Sequence, residues 1–371
     1  MITKIKSLLT SVLKTVLQVK YLIHTNNPSE IISKWMIGHT ESNENHPYFS
    51  SHTPIKGYQL EQVQIVIRRG TRYSIQSGMY SEKLNTSTNR DLIGWIDTYQ
   101  NDYLPHRTGQ LDIHRTRQYP EFMKALNLSV IQVSTSLLSR ALQLAQAFCL
   151  GPARVLPVPI FSKENDSIVS PHKDCPRWRK EAKPLTSHWT APIINQYVRP
   201  IAHRLSHALH LDITIDDVLD YFTACSSTQY INDLKHYYKY SDGFPHLNQN
   251  MTCDLAKHLL DHIDAIMNST LSAVKFNVLV GYSETMLPLR TLLGLYKDNL
   301  SPNSTDNQIE HRKYRLSKFG YFADHLAFQL LTHASTGQRY GRVLDNEIPI
   351  SIYNKTLMII DEFRSFMNSA K

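Results

Sequence analysis

The sequence predicts an α/β fold with a mainly parallel central sheet and an inserted, mainly helical segment. Three stretches share one local pattern, in which a run of apolar residues leads into a short polar loop and then into helical periodicity. A continuous apolar run is typical of a strand buried on both faces, as in a parallel sheet. Between the second and third stretches such runs are missing and the periodicity is helical, which predicts the insertion.

The three stretches are QVQIVIRRGTRYS, LSVIQVSTSLLSRALQLAQAFCLG and KFNVLVGYSETMLPLRTLLGLYKD. In the second, we expect the strand to end near Val133 and a helix to follow from Ser136 or Ser139 until Gly151. In the third, the apolar run reaches Gly281, a Ser-Glu pair is suited to start a helix, and Gly294 lies towards its end.

These strand ends predict where a ligand binds. In a parallel sheet the ligand crevice lies at the carboxyl ends of the strands, beside helix N-termini that favour anions. The residues that the pattern places there are Arg68, Arg69, Arg72, Ser134, Tyr282, Ser283 and Glu284.

The predicted organisation has three parts. Residues 46–151 and 271–371 form the α/β core, and residues 152–270 form the mainly helical cap. Residues 1–45 precede the core, and they start with lysines and an apolar run interrupted by Lys14 and Lys20. A degraded secretory signal and an ordinary amphipathic helix explain that start about equally well.

Composition narrows the function classes. The chain has 371 residues, 42% apolar and 19% charged, which is typical of a folded globular protein. Its net charge of +8 suits an anionic partner, but no Lys/Arg run indicates nucleic-acid binding. No segment has the roughly 18 to 20 uninterrupted apolar residues of a transmembrane helix.

The sequons and the cysteines are evidence for the cellular compartment of the protein. Eight asparagines begin an N-x-S/T sequon, more than the roughly three expected by chance, which favours a secretory route. They are Asn85, Asn127, Asn165, Asn250, Asn268, Asn299, Asn303 and Asn354. Four scattered cysteines, Cys149, Cys175, Cys225 and Cys253, form two disulfides or remain as buried thiols. Neither they nor the histidines show metal-ligand spacing, so we expect no metal and no cofactor.

Several motifs resemble those of the histidine acid phosphatase branch of the histidine phosphatase superfamily. RRGTRYS is similar to its R-H-G-x-R-x-P signature, and YSETMLPLRTLLGL to its H-A-E-T signature with the following helix. GQLDIHRTRQ, PVPIFSKENDSIVSPHKDCPRW, FADHLAFQLL and GRVLDNEIPI resemble further segments in the same order. The resemblance spans residues 46–352 and implies a phosphoglycerate mutase-like αβα sandwich with three layers.

The resemblance also implies a site and a mechanism. In the family, the signature His attacks phosphorus, three arginines and a late His hold the phosphate, and an Asp or Glu protonates the leaving alcohol. By position, Arg68 and Arg72 match two phosphate-binding arginines, and Glu284 matches the proton donor. Arg69 stands at the nucleophile position, Tyr282 at the late His position and Ser134 at the third arginine position.

A guanidinium stays protonated and has no lone pair to attack phosphorus, so Arg69 cannot replace a nucleophilic histidine. Two interpretations of Arg69 remain open: it adds to the anion site, or it is a product of neutral drift. The leading hypothesis is a pseudophosphatase that still binds phosphate or a phosphorylated small molecule. The alternatives are a working phosphomonoesterase with Glu284 as acid, and a protein-interaction module built on the same fold.

Overall fold

The computed structural model describes residues 55–68, 119–137, 139–149, 158–163, 166–210, 212–215, 218, 229–301, 303–319 and 324–368. The predicted N-terminal segment 1–45 lies outside these ranges. Within them, the strands are β1 (Tyr58–Arg68), β2 (Ile131–Ser136), β3 (Ile160–Lys163), β4 (Phe276–Gly281), β5 (His325–His333), β6 (Arg339–Asp345), β7 (Ile348–Pro349) and β8 (Met358–Ile359).

The α-helices are α1 (Pro120–Lys124), α2 (Ser139–Cys149), α3 (Pro171–Asp174), α4 (Pro176–Ile193), α5 (Arg199–Leu209), α6 (Gln229–Tyr240), α7 (Pro245–Met251), α8 (Cys253–Met267), α9 (Ser283–Leu292), α10 (Asp306–His311), α11 (Leu316–Phe319) and α12 (Ile360–Asn368). None of the described helices is long and apolar enough to cross a membrane.

The strands form one mixed sheet, which confirms the predicted α/β class. Their order is β3-β2-β4-β1-β5-β6-β7, with β8 paired to β6. The four neighbours β3, β2, β4 and β1 are parallel. From β5 onwards the pairs are antiparallel, and β5 and β6 come from the two last segments that resemble the family.

Helices cover both faces of the sheet, which gives the three predicted layers. In β1, Val66 belongs to a core formed with α8, α9 and α12, whereas Val63, Ile65 and Ile67 belong to a core formed with α1 and α2. Alternate side chains of a strand point to opposite faces. The apolar residues of β1 are therefore buried on both faces of the sheet.

Two buried glutamines interrupt that run and fasten α8 to the sheet. The amide of Gln64 donates to the carbonyl of Leu259 at 2.8 Å, and the amide of Gln62 donates to the carbonyl of His262 at 2.9 Å. Buried polar groups are tolerated where they are hydrogen-bonded. These glutamines therefore fix the helix in register without breaking the core.

Two elements differ from the sequence prediction. β2 continues past Val133 to Ser136, since Thr135 and Ser136 are buried in the sheet despite their polar side chains. The predicted cap range 152–270 contains β3, which pairs with β2 in the sheet. It also contains α8, which packs against the sheet core. The division into core and cap otherwise stays a prediction.

A buried ion cluster joins α9 to the strands on the antiparallel side. The guanidinium of Arg290, only 2% exposed, donates to both carboxylate oxygens of Asp324 at 2.7 and 2.6 Å and to Asp345 at 2.6 Å. The hydroxyl of Tyr296 donates to Asp345 at 2.6 Å. The amide of Asn346 donates to both aspartates. Every charge in the cluster thus has a partner.

We expect Arg290→Met to destabilise the fold by about 3–5 kcal/mol, because it leaves two carboxylates buried without their cation. The measurement is the free energy of unfolding in urea. Arg177→Met is the matched control, since Arg177 forms an exposed ion pair with Glu181 and its loss should cost less than about 0.5 kcal/mol. Equal losses for the two variants would contradict the assignment.

Acidification should weaken the packing of α8. Burial and the nearby His258 together lower the pKa of His262 to about 4, and Asp261 opposes the shift. The folded state therefore favours the neutral ring. Its contribution is complete above the ordinary pKa of 6.5 and is lost as the pH falls towards 4.

In urea unfolding at pH 7.5 and pH 4.5, His262→Gln should lose less stability on acidification than the wild type. His246→Gln, at an exposed position of α7, should follow the wild type. A wild-type-like pH dependence in His262→Gln would show that other groups cause the loss.

Candidate functional site

Three parallel strands bring the candidate residues to one edge of the sheet. Arg68, the last residue of β1, pairs with Gly281, the last residue of β4. On the other side of β4, Ser134 pairs with Leu279, and β2 continues for two residues to Ser136. Arg68, Ser136 and the start of α9 therefore lie at the same carboxyl edge.

The turn from β4 into α9 requires a glycine. A Cβ atom at Gly281 would lie 2.8 Å from the Thr285 Oγ1 atom, too close for any other residue. The Thr285 hydroxyl accepts from the Tyr282 backbone N–H at 3.1 Å and donates to the Val169 carbonyl at 2.7 Å. One side chain thus fixes the first turn of α9 and holds the chain that leads into α3 against it.

Tyr282 is buried between the sheet and α3. Its hydroxyl lies 2.5 Å from the Ser136 Oγ atom. The His172 ring packs edge-on against the tyrosine ring, with 5.4 Å between centroids, and the Lys173 Nζ atom lies 5.8 Å from the centroid of the same ring. Two basic side chains of α3 therefore cover the position where the family has its late histidine.

Glu284 lies in the first turn of α9 and is half-buried. Burial alone would raise the pKa of its carboxyl, but His172, its own backbone N–H, Ser283 and His236 outweigh burial, and the pKa is lowered. The Ser283 hydroxyl donates to the carboxylate at 2.9 Å. The lowered pKa favours the ionised form of Glu284, whereas a general acid has to carry a proton.

The structure brings together only some of the residues predicted from sequence. Arg68, Tyr282, Ser283 and Glu284 lie at the carboxyl edge. Ser134 lies two residues before the end of β2, where its hydroxyl accepts from the Gln132 amide at 3.3 Å. Arg69 and Arg72 lie outside the described residues.

Four further residues reach the same place: Ser136, His172, Lys173 and His236. Ser136 carried a sequence signal only as a possible helix cap. His172 and Lys173 belong to the SPHKDCP part of the segment that resembles the family, but nothing in their spacing pointed to the crevice. His236 comes from α6, which no motif connects to the site.

Metal binding finds no support in the described ranges, which contain no group of three or more His, Cys, Asp and Glu side chains placed to hold an ion. Cys149 and Cys175 are free thiols, the Cys253 thiol lies 3.9 Å from the Gln249 carbonyl, and Cys225 is outside the described residues. A cavity of about 800 Å³ lies near the amino ends of the strands, beside Tyr58 and Lys275, and none of the predicted site residues lines it.

Comparisons with known proteins agree with this architecture. The chain is 29% identical over 149 residues to multiple inositol polyphosphate phosphatase 1 of Gallus gallus and of Homo sapiens, in each case over 37% of this chain. The matched regions span about a third of those relatives, 33% and 30% of their lengths. No protein-family model matches the chain.

Solved structures show the same fold at low identity. The phytase from D. castellii superposes with a TM-score of 0.57 at 16% identity, covering 87% of this chain and 82% of that one. The multiple inositol polyphosphate phosphatase of Bifidobacterium longum, in complex with inositol hexasulfate, superposes with a TM-score of 0.58 at 13% identity, covering 86% and 94%.

In fold the chain is similar to these phytase and multiple inositol polyphosphate phosphatase structures, which agrees with the resemblance of its motifs to the histidine acid phosphatase branch. Within that branch, its sequence relatives are multiple inositol polyphosphate phosphatases.

The contact between Tyr282 and Ser136 should be measurable as a coupling. Tyr282→Phe leaves the Ser136 hydroxyl buried without this partner, at a cost of about 1–3 kcal/mol in the free energy of unfolding. Ser136→Ala in the Tyr282→Phe background should then cost less than Ser136→Ala alone. Additive costs would argue against the contact, and Tyr353→Phe, at an exposed residue, is the control.

Proposed function

We propose that this protein is a pseudophosphatase that keeps a phosphate-binding pocket but has lost the covalent step. The observation that carries the proposal is the residue at the nucleophile position, which is Arg69. A guanidinium has no lone pair for attack on phosphorus and does not deprotonate in proteins. Loss of a nucleophile from a site that acts as a unit removes most of the rate.

The late histidine position supports the same conclusion. A tyrosine side chain carries no positive charge, and the Tyr282 hydroxyl already contacts Ser136 at 2.5 Å. It therefore offers at most one hydrogen bond and no charge to a phosphate oxygen. A transition state that accumulates negative charge loses stabilisation there.

The features that favour anion binding do not depend on the substituted nucleophile or on the late histidine position. Arg68 ends β1 beside the N-terminus of α9, and Arg69 and Arg72 come after it in the sequence. Guanidinium groups and helix N-termini both favour phosphate. The B. longum relatives were crystallised with inositol hexasulfate and with phosphate, so a phosphorylated small molecule is the proposed ligand class here.

A working phosphomonoesterase is the alternative, since Glu284 matches the position of the proton donor. Its lowered pKa counts against that role, because a carboxylate ionised at working pH has no proton to give to the leaving alcohol. We therefore place Glu284 in the pocket as a charged group and not as an acid.

The proposed location is a secretory compartment. The six sequon asparagines in the described residues, Asn127, Asn250, Asn268, Asn299, Asn303 and Asn354, all have exposed side chains. Exposure is what attachment of a glycan requires. When the chain is expressed through a secretory host, we expect a mass decrease on treatment with an N-glycosidase, and an unchanged mass would count against this compartment.

The function is tested by measuring binding and turnover on the same sample. We expect calorimetry with inorganic phosphate or inositol hexakisphosphate to give saturable heat, and p-nitrophenyl phosphate to remain unhydrolysed between pH 4 and pH 8. Arg68→Gln should weaken binding by about tenfold, because it removes a charge-assisted contact. No heat in the wild type would contradict the binding claim, and hydrolysis that Glu284→Gln abolishes would establish the alternative.

Restoring the family residues tests separately whether Arg69, Tyr282 and Ser134 stand at the positions assigned to them. Arg69→His with Tyr282→His and Ser134→Arg returns the family residues to all three substituted positions. Hydrolysis of p-nitrophenyl phosphate by this triple variant would show that only these side chains prevent turnover. The matched control omits the nucleophile and carries Tyr282→His with Ser134→Arg, and it should stay inactive.

A further inference from the structure

The short helix α3 lies directly against the start of α9. The Thr285 hydroxyl donates to the Val169 carbonyl two residues before α3, at 2.7 Å. The His172 and Lys173 side chains of α3 both reach the Tyr282 ring. This segment of the predicted cap is therefore anchored at the carboxyl edge of the sheet, where the ligand is expected.

We propose that α3 completes the anion site: Lys173 binds the phosphate directly, and His172 neutralises the Glu284 carboxylate beside it. The inference rests on the proposed phosphate pocket and extends it. It assigns to the cap the positive charge that Tyr282, at the late histidine position, does not supply.

Lys173 has a charge available for a ligand. Its side chain is exposed, it forms no ion pair with any residue in the described part of the chain, and its Nζ atom lies 5.8 Å from the Tyr282 ring centroid. A cation–π contact of this kind orients an ammonium without neutralising it. The lysine is consequently held at the crevice with its charge intact.

The proposed role of His172 is to reduce the repulsion between Glu284 and an anionic ligand. An ionised Glu284 in a phosphate site repels the ligand, and the side chain that contributes most to lowering its pKa is His172. In the described part of the chain, the groups near His172 and Glu284 include Tyr282 on α9, Trp178 on α4, His236 on α6 and Lys173 on α3 itself. Among these, Glu284 is the one that carries negative charge, so a protonated His172 reduces the repulsion.

A buried hydroxyl next to α3 adds an independent observation. Ser170, immediately before the helix, is 2% exposed, and its Oγ atom has no hydrogen-bond partner among the described residues. A buried polar group without a partner is unfavourable unless a ligand or water satisfies it. Its place beside His172 fits a segment shaped to contact a polar ligand.

The first test compares two neutralised lysines in the full chain. Calorimetry with inorganic phosphate at pH 5.5 should show that Lys173→Gln weakens binding by about three- to fivefold. Lys275→Gln makes the same change in net charge one residue before β4, at the opposite edge of the sheet, and should bind like the wild type. Equal affinities for the two variants would overturn the role of Lys173.

The second test asks whether His172 acts through Glu284. We expect His172→Gln to weaken phosphate binding by about tenfold at pH 5.5, where the carboxylate is left without its neighbouring cation. In a Glu284→Gln background the same substitution should change affinity by less than about twofold. An undiminished loss in that background would overturn the neutralising role.

A pH series with inorganic sulfate distinguishes the charge of His172 from its contribution to packing, because the charge of sulfate is constant between pH 5 and pH 8. Histidine is the side chain whose charge changes between pH 5 and pH 8, so wild-type affinity should rise on acidification and the rise should shrink in His172→Gln. An unchanged profile in the variant would overturn the proposal. Wild-type protein that binds neither anion would instead refute the phosphate pocket itself.

Discussion

The buried cluster around Arg290 is the interaction on which the arrangement of the site depends. It joins the carboxyl half of α9 to Asp324 before β5 and to Asp345 at the end of β6. The Asp324 carbonyl also accepts the Arg68 backbone N–H at 2.8 Å. The same cluster therefore positions the helix that carries Glu284 and also Arg68, the last residue of β1.

That cluster also shows why the fold was easier to predict than its details. Buried apolar runs such as VQIVI and FNVLVG indicate parallel strands, because burial on both faces leaves few positions for polar residues. Arg290, Asp324 and Asp345 carry no comparable signal. Each is an ordinary charged residue in the sequence, and only the packing of distant segments makes them partners.

The residues of the candidate site likewise divide into those that the sequence predicts and those that it does not. Arg68, Tyr282 and Glu284 were predictable because a strand end is visible in the sequence and the motif spacing fixes the positions of the residues after it. Ser136 was missed as a site residue because its strand was expected to end at Val133, and the buried Thr135 and Ser136 interrupt the apolar pattern. His172 and Lys173 were missed because a tertiary contact of α3, which no periodicity encodes, brings them to Tyr282.

A pocket of this design can lose catalysis without losing its fold. Tyr282 and Glu284 lie at the start of α9, whereas the Arg290 cluster and the two apolar cores support α9 and β1 on their other sides. Much of the packing that holds the fold is therefore independent of Glu284, whereas Tyr282 is itself buried against Ser136 and His172. The proposed anion binding needs only cations at the carboxyl edge, and in the proposed pocket Arg68 and α3 supply them.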